Sequence, residues 1–516
     1  MRYRLLETVG EYAGERLDEA GERTAVERRH LVHYRELART GEPLLRGPGQ
    51  RTLLGVWSAS TTTSAPPCAA RRVRGTSRRC CAWCSPSPGS GSCATTARDA
   101  CTWTEAAVGL GPDPFAEPVE PAPPLTERCI DAPPPMRPEL LTEGPAAGAL
   151  VWMVNHDTDM RLINSPEMQR DVAQRRRRVR VGPPAEPPVP GGHVVLRPAA
   201  HRRLRRPCGS PSTSSSTLPR GRPRLGARLH LQQRAKLLNE RPGRADQGLR
   251  DAHESLEIFR RVGDAWGVAE ALSGRAESHE RRGALAEAER DYREAIDSVR
   301  DLGAIAQVPM LKARLADVLT EAGRVDDATG ERLLLEALDE AEGMGPDTSF
   351  FIRISLGVRL ARRGRTAAAR ELFDNLMEEF RNRSIKLFLA LMDGLYGWIE
   401  TLDGNPAAAL PRIRRALEVR DDPFVLLVAA HLPMAHLMYG AYAHSELPGE
   451  EHAMTGARLI GAAVALRPAG LYEASIEREM RERTEASLRA ALGDEAYERV
   501  RAEGGGLTLE EAAALV

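Results

Sequence analysis

Glu27 and His30 stand three residues apart, a spacing that puts a carboxylate and an imidazole on one helix face, as di-iron bundles require. Such a site needs two of these pairs and two further glutamates on facing helices. One copy leaves His30 and His33 as surface or packing residues. Cys80, Cys81 and Cys84 contain a C-x-x-C, the spacing of zinc and redox sites, but no second pair accompanies it. The arginine runs Arg175 to Arg178 and Arg202 to Arg206 could contact phosphates. They lack interleaved aromatics and a reading helix. His431, His436, His444 and His452 do not share one helical face, which favours core or surface positions over metal ligation. A phosphate-binding loop needs glycine before its lysine. The only lysines, Lys236, Lys312 and Lys386, follow Ala235, Leu311 and Ile385. These observations predict no catalytic, cofactor-binding or metal-binding residue, no cofactor and no enzyme. Partner-binding residues are not assigned. Trp266, Trp398 and Tyr396 either pack between helices or line a binding groove.

The elements that would position such residues follow from four glycines. Gly283, Gly323, Gly364 and Gly404 lie 40, 41 and 40 residues apart. A fixed step of this size is the signature of stacked helix pairs, which bury their apolar faces only against neighbours. Seven residues before each glycine come Ala276, Ala316, Gly357 and Gly397, and five after it Ala288, Ala328, Ala369 and Ala409. All are small enough for helix backbones to approach closely. Nine residues after the glycine, three units carry Tyr292, Phe373 and Ile413, and twelve after it Ala295, Leu376 and Ala416. Each second helix thus shows an apolar stripe at i, i+4 and i+7. The Gly323 unit fits with two extra residues, which moves its stripe to Leu334 and Ala337. An earlier copy begins at Gly243 and fits at Ala252, Leu256 and Phe259 with four inserted. Five units span about Leu229 to Val419. The pattern is that of tetratricopeptide (TPR) repeats with helices longer than in the roughly 34-residue form. The expected fold is therefore an all-α, TPR-like solenoid of helical hairpins with a C-terminal helical cap and a poorly ordered middle.

Composition supports the ends and not the middle. Zero net charge gives no electrostatic reason to expect nucleic acid or a membrane as direct partner. All eight cysteines fall between positions 68 and 208 and none in the long helical half, so a disulfide framework for the whole protein is not expected. No secretory signal is visible, and the expected location is the cytoplasm. The uncharged stretch from Phe424 to Ala443 contains His431, Pro433 and His436 and lacks a basic flank, so a buried helical pair is expected there rather than a membrane span. The predicted segments are a helical one at 1–54, coil or altered frame at 55–98, a partial helical segment at 99–172, coil or altered frame at 173–228, the solenoid at 229–440 and the cap at 441–516.

The Pro-, Ser-, Arg- and Cys-rich stretches from about Gly55 to Arg98 and Ala173 to Arg228 lack helical or strand periodicity. A shifted reading frame accounts for them better than native disorder. Codons chosen for Ser60 to Ala69 and reread in a neighbouring frame give Glu-His-Asp-Asn-Leu-Arg-Ala-Ala-Leu-Arg, a helix start. Those for Ser210 to Pro219 give Ala-Val-Asp-Glu-Leu-Val-Asp-Ala-Ala-Ala. Short helices are expected near Trp103 to Leu110 and Ala146 to Asn164.

Two runs of residues carry a family resemblance. Arg2-Tyr3-Arg4-Leu5-Leu6-Glu7-Thr8-Val9, with Glu11-Tyr12-Ala13, Glu15-Arg16-Leu17, Arg28-Arg29-His30 and Tyr34, resembles the junction between the winged-helix end of the nucleotide-binding region and the TPR array in AfsR/SARP-like and LuxR-like bacterial regulators. The reread Glu-His-Asp-Asn-Leu-Arg looks like the motif that follows it. Ala457-Arg458-Leu459-Ile460-Gly461-Ala462-Ala463, Ala486 to Gly493, Ala502-Glu503-Gly504 and Leu507 to Ala512 are similar to the C-terminal cap of the same regulators. The resemblance covers about two thirds of the chain and rests on structural motifs. It implies a TPR sensor region that binds a protein, peptide or small effector in its groove and controls a nucleotide-hydrolysing (STAND-type) switch domain, neither ATP nor DNA being bound by this chain itself. It also implies a C-terminal fragment that starts just after the switch. A free-standing TPR adaptor unrelated to transcription is the alternative.

Overall fold

The computed structural model describes residues 7–41, 44, 47–53, 235, 238 and 245–516, apart from 343, 345, 382–385, 423, 424, 427, 428, 468 and 469. The expectations for 55–98, 99–172 and 173–228, the C-x-x-C, the arginine runs and the Gly243 turn lie outside the described residues. Within them every regular element is a helix. Two come first, α1 (Glu7–Glu19) and α2 (Arg23–Gly41). A long helical series follows: α3 (Ala245–Val262), α4 (Ala265–Glu280), α5 (Leu285–Leu302), α6 (Val308–Glu321), α7 (Asp327–Glu340), α8 (Pro346–Arg362), α9 (Thr366–Glu379), α10 (Lys386–Leu402) and α11 (Pro406–Leu417). The chain ends in α12 (Leu432–Ser445), α13 (Glu450–Leu466), α14 (Ser475–Leu492), α15 (Asp494–Gly504) and α16 (Leu509–Leu515). From α3 to α11 each helix packs antiparallel on the next.

Why the chain reverses here is visible at the turns. Gly283, Gly323, Gly364 and Gly404 hold φ of 70°, 64°, 75° and 79°, a left-handed conformation that a Cβ disfavours. At each one the glycine N–H reaches back to the carbonyl three residues earlier and the next N–H to the carbonyl five earlier. Gly364 to Ala361 at 2.9 Å and Arg365 to Leu360 at 2.9 Å are one such pair. This double bond pattern closes the otherwise unsatisfied carbonyls of a helix end. Gly263 and Gly303 end α3 and α5 in the same way.

Small residues then let the paired helices touch. A Cβ on Gly357 would meet the Phe373 ring at 2.3 Å, and one on Gly397 would meet Ile413 at 2.7 Å. Tyr292, Phe373, Ile413, Leu334, Leu256 and Phe259 are all fully buried, each stabilising the fold by about 2 kcal/mol through the area removed from water. The core runs as successive clusters: α3 to α6, then α6 to α10 with Tyr442 of α12, then α11 to α16. One buried charge pair joins α4 to α5, with Arg275 donating to both oxygens of Asp291 at 2.5 and 2.8 Å. Residues 47–53 dock on the first pair, where Gln50 donates to Asp264 at 3.0 Å and Leu53 enters the core.

Helix α12 runs through residue 440, where the sequence reading places a boundary. Its buried face packs on both α11 and α13, so the chain shows no break there. Among the described residues no helix is long and apolar enough to cross a membrane. Towards the C-terminus a pair of glycines brings backbones together: a Cβ on Gly461 of α13 would lie 2.0 Å from the Arg501 carbonyl, and one on Gly504 of α15 would lie 2.1 Å from that of Arg458. His436 is fully buried on α12 beside Gly394, and loss of solvation lowers its pKa to about 3.

These contacts have measurable consequences. Gly461→Ala and Gly504→Ala each push on a backbone that cannot rotate away, and each lowers unfolding free energy by about 2–3 kcal/mol. Gly323→Ala, which meets no neighbouring atom within 4 Å and only strains φ, costs about 1 kcal/mol; equal urea midpoints for the three would refute the close-approach account. His436 remains neutral in the fold while the unfolded chain takes up a proton below about pH 6.5. Its contribution therefore makes stability rise with pH between about 3 and 6.5, by up to about 1.4 kcal/mol per pH unit. His436→Leu should flatten that slope in denaturation measured from pH 4 to 7.

Candidate functional site

One cavity of about 920 Å³ is lined by the first helix of successive pairs: Glu277 and Glu280 from α4, Arg314 and Asp317 from α6, Ile354 and Arg359 from α8, Trp398 from α10, and Met434 and Met438 from α12. Its size is that of a small-molecule or short-peptide site. The wall is completed by residues 471–481, which include Tyr472, Ile476 and Met480.

The lining changes character across the cavity. On the α4 and α6 side it is charged. Arg314 approaches Glu280 at 3.6 Å and lies 3.9 Å over the Phe351 ring. Burial raises the Glu280 pKa to about 7, with Arg314 pulling against that shift. The Tyr292 hydroxyl lies near enough to favour the Glu280 charge, yet neither that hydroxyl nor Glu280 Oε1 has a hydrogen bond of normal geometry. Burial also raises the Asp317 pKa, against the pull of Ser355 and Arg359. Arg359 is shared between Asp317 at 3.1 Å and Asp327 at 3.0 Å. On the α10, α12 and α14 side an apolar patch accompanies the Arg467–Glu477 and Arg481–Glu473 pairs. There Trp398 stacks on Tyr439 with centroids 6.2 Å apart, beside Met434, Met438 and Met480.

Residues 471–475 line the cavity as a strap. The Tyr472 N–H donates to the Arg281 carbonyl at 2.8 Å, and the Tyr472 ring sits on the Gly283 turn, where a Cβ would approach it to 2.5 Å. Glu321, at the last position of α6, accepts three bonds from the strap: from the Tyr472 hydroxyl at 2.9 Å, the Ser475 N–H at 2.8 Å and the Ser475 hydroxyl at 2.7 Å. The physical reason is complementary. A carboxylate is disfavoured at the C-terminus of its own helix and favoured at the N-terminus of another. The N-cap of α14, Ala474, offers no side-chain bond of its own, so Glu321 caps that helix from a distance of 154 residues in sequence. Arg362 ties the same end down through Ser475 at 3.2 Å and Glu479 at 2.8 Å.

Of the residues singled out by sequence, Trp398 lines the cavity and is also nearly buried. Tyr396 lies in the core, donating to Asp374 at 2.5 Å with Arg412 over its ring. Trp266 packs against the first core cluster. Glu27, His30 and His33 sit on α2, apart from the cavity. His431 lines the cavity, whereas His444 and His452, on α12 and α13, approach to 3.1 Å between Nδ1 atoms. Burial, His452 and Arg414 together lower the His444 pKa to about 4. Among the described residues no group of three or more His, Cys, Asp or Glu is placed to hold a metal ion. Glu280, Arg314, Glu321 and Tyr472 were not picked out in the sequence. The one available signal was a polar residue interrupting the apolar face of a helix.

No family model, curated protein or solved structure matches this chain.

The strap depends on Glu321 more than on apolar burial. In Glu321→Ala the amides of Tyr472 and Ser475 should exchange with solvent about tenfold faster, a loss of about 1.4 kcal/mol of local protection. Amides of α9, remote from the strap, should keep their rates. A uniform rise across all helices would mean that Glu321 supports global stability instead.

Proposed function

We propose that this chain is the sensor and interaction region of a SARP-like bacterial transcriptional regulator, built as a TPR-like solenoid of about 40-residue hairpins with a C-terminal helical cap. It binds a partner or effector and so biases a nucleotide-hydrolysing switch domain that lies outside these residues. The role is binding rather than catalysis, in the cytoplasm, and without direct contact to nucleic acid. The observation that carries this reading is the shared cavity. The first helices of five successive pairs contribute to one wall, so a molecule bound there touches several hairpins at once and can shift their relative packing. The four glycine turns of common geometry support the repeat reading. The family resemblance of the N- and C-terminal runs supports the regulatory one.

A free-standing TPR adaptor uses the same cavity without a switch domain. Sequencing the locus and assaying ATP hydrolysis separate the two. Joined to the nucleotide-binding domain encoded upstream, this chain should lower ATP turnover at least about fivefold, within the usual range of allosteric coupling. Unchanged turnover, or an upstream frame without a phosphate loop, would favour the adaptor.

A further inference from the structure

The charges lining the cavity are not evenly compensated. Arg359, Arg467, Arg481 and Arg501 each face a carboxylate within 3.5 Å, as Arg314 does at 3.6 Å. The carboxylates fare differently. Glu277 has no ion-pair partner among the described residues, and Glu321 receives only the neutral donors of the strap. Glu280 meets its one cation at the outer limit of a salt bridge and keeps an oxygen without a hydrogen bond. Uncompensated acceptor capacity therefore gathers on the α4 and α6 side. Leaving a buried acceptor unsatisfied costs about 1–3 kcal/mol, which a donor supplied by a ligand would recover. Across the cavity stand Met434, Met438 and Met480 with the Trp398–Tyr439 stack, polarisable groups that adapt to an aliphatic or aromatic body.

From this arrangement we infer that the cavity binds a small amphipathic amine, its ammonium group held by Glu277 and Glu280 and its apolar body lying against Trp398, Tyr439 and the three methionines. The inference rests on the reading of this cavity as the effector site and names the chemistry of the effector. A volume of about 920 Å³ suits a small molecule rather than a folded partner. Residues 471–481 form the outer wall, and the strap is tied to α4, α6 and α8 through Arg281, Glu321 and Arg362. An anion on this side would face Glu277, Glu280 and Glu321.

Calorimetric titration of the whole chain with n-octylamine, octanoate and octanol tests the idea. Octylamine should bind at least about tenfold more tightly than octanol, since a charge paired in a poorly solvated site outweighs the apolar contribution that the two share. Octanoate should bind more weakly than either. Glu280→Gln and Glu277→Gln should each weaken octylamine about tenfold while leaving octanol unchanged; the octanol titration shows that the variants are folded. Octylamine affinity of the unaltered chain should rise from pH 6 to pH 8 as Glu280 ionises. The charged and titratable groups facing it are Arg314, Asp317, Glu277 and Tyr292, and Glu280→Gln should abolish the trend. Equal binding of amine and alcohol, preferential binding of octanoate, or no binding of any probe would overturn the inference. These outcomes are independent of ATP turnover. Amine binding without control of a switch domain removes the regulatory reading alone, and control without amine binding removes the ligand class alone.

Discussion

A residue without a side chain, held in a left-handed conformation at a helix end, is the constraint on which the rest of this structure depends. With φ near 70° at Gly283, Gly323, Gly364 and Gly404, the chain turns back within a few residues and the next helix lies antiparallel to the last. Such a hairpin has one apolar stripe on each helix and cannot enclose a core alone. The buried residues accordingly fall into successive clusters handed from one pair to the next. The described helices therefore have several neighbouring cores rather than one. The large cavity forms where the first helices of several pairs face the strap.

The treatment of buried charge differs between the hairpins and the cavity. Arg275 and Asp291 join α4 to α5 with two hydrogen bonds and further support from Arg290 and from His253 at 3.3 Å. That pair is almost completely removed from water, and its internal satisfaction offsets the large desolvation cost of two ions. Further along α4, Glu280 meets Arg314 at 3.6 Å and keeps Oε1 without a hydrogen bond of normal geometry. Two carboxylates in the same hairpin have thus been placed under opposite conditions. The satisfied pair behaves as framework. The unsatisfied acceptor is the kind of buried group that calls for a partner.

Much of the helical scaffold was legible in the sequence because it is written locally. Phe373 and Ile413 sit nine residues after a glycine, and each is buried against the small residue seven before it. Even the displaced stripe at Leu334 and Ala337 is fully buried. The candidate site left no comparable trace. Tyr472 and Glu321 are 151 residues apart and Gln50 and Asp264 are 214 apart, and single hydrogen bonds over such separations impose no periodicity on the residues between. His444 and His452 belong to different helices, so a search along one helical face could not pair them. Residue 440 read as a boundary because the glycine spacing ends before it. The structure places it inside a helix that packs on both sides.

The strap ties the start of α14 to the helices that line the cavity. Its attachment is mostly polar and converges on one carboxylate: Glu321 receives three hydrogen bonds, and Arg362 holds the same helix end. Hydrogen bonds to a charged group contribute about 1.5–3 kcal/mol each net of solvation. The helices beneath are held by fully buried aromatic and aliphatic side chains that stabilise by about 2 kcal/mol or more apiece. The strap is thus fastened by polar contacts where the stacked helices are fastened by apolar ones. The strap supplies Tyr472 to the cavity wall and α14 supplies Ile476 and Met480, so the polar fastening at Glu321 and the apolar side of the cavity meet at the start of one helix.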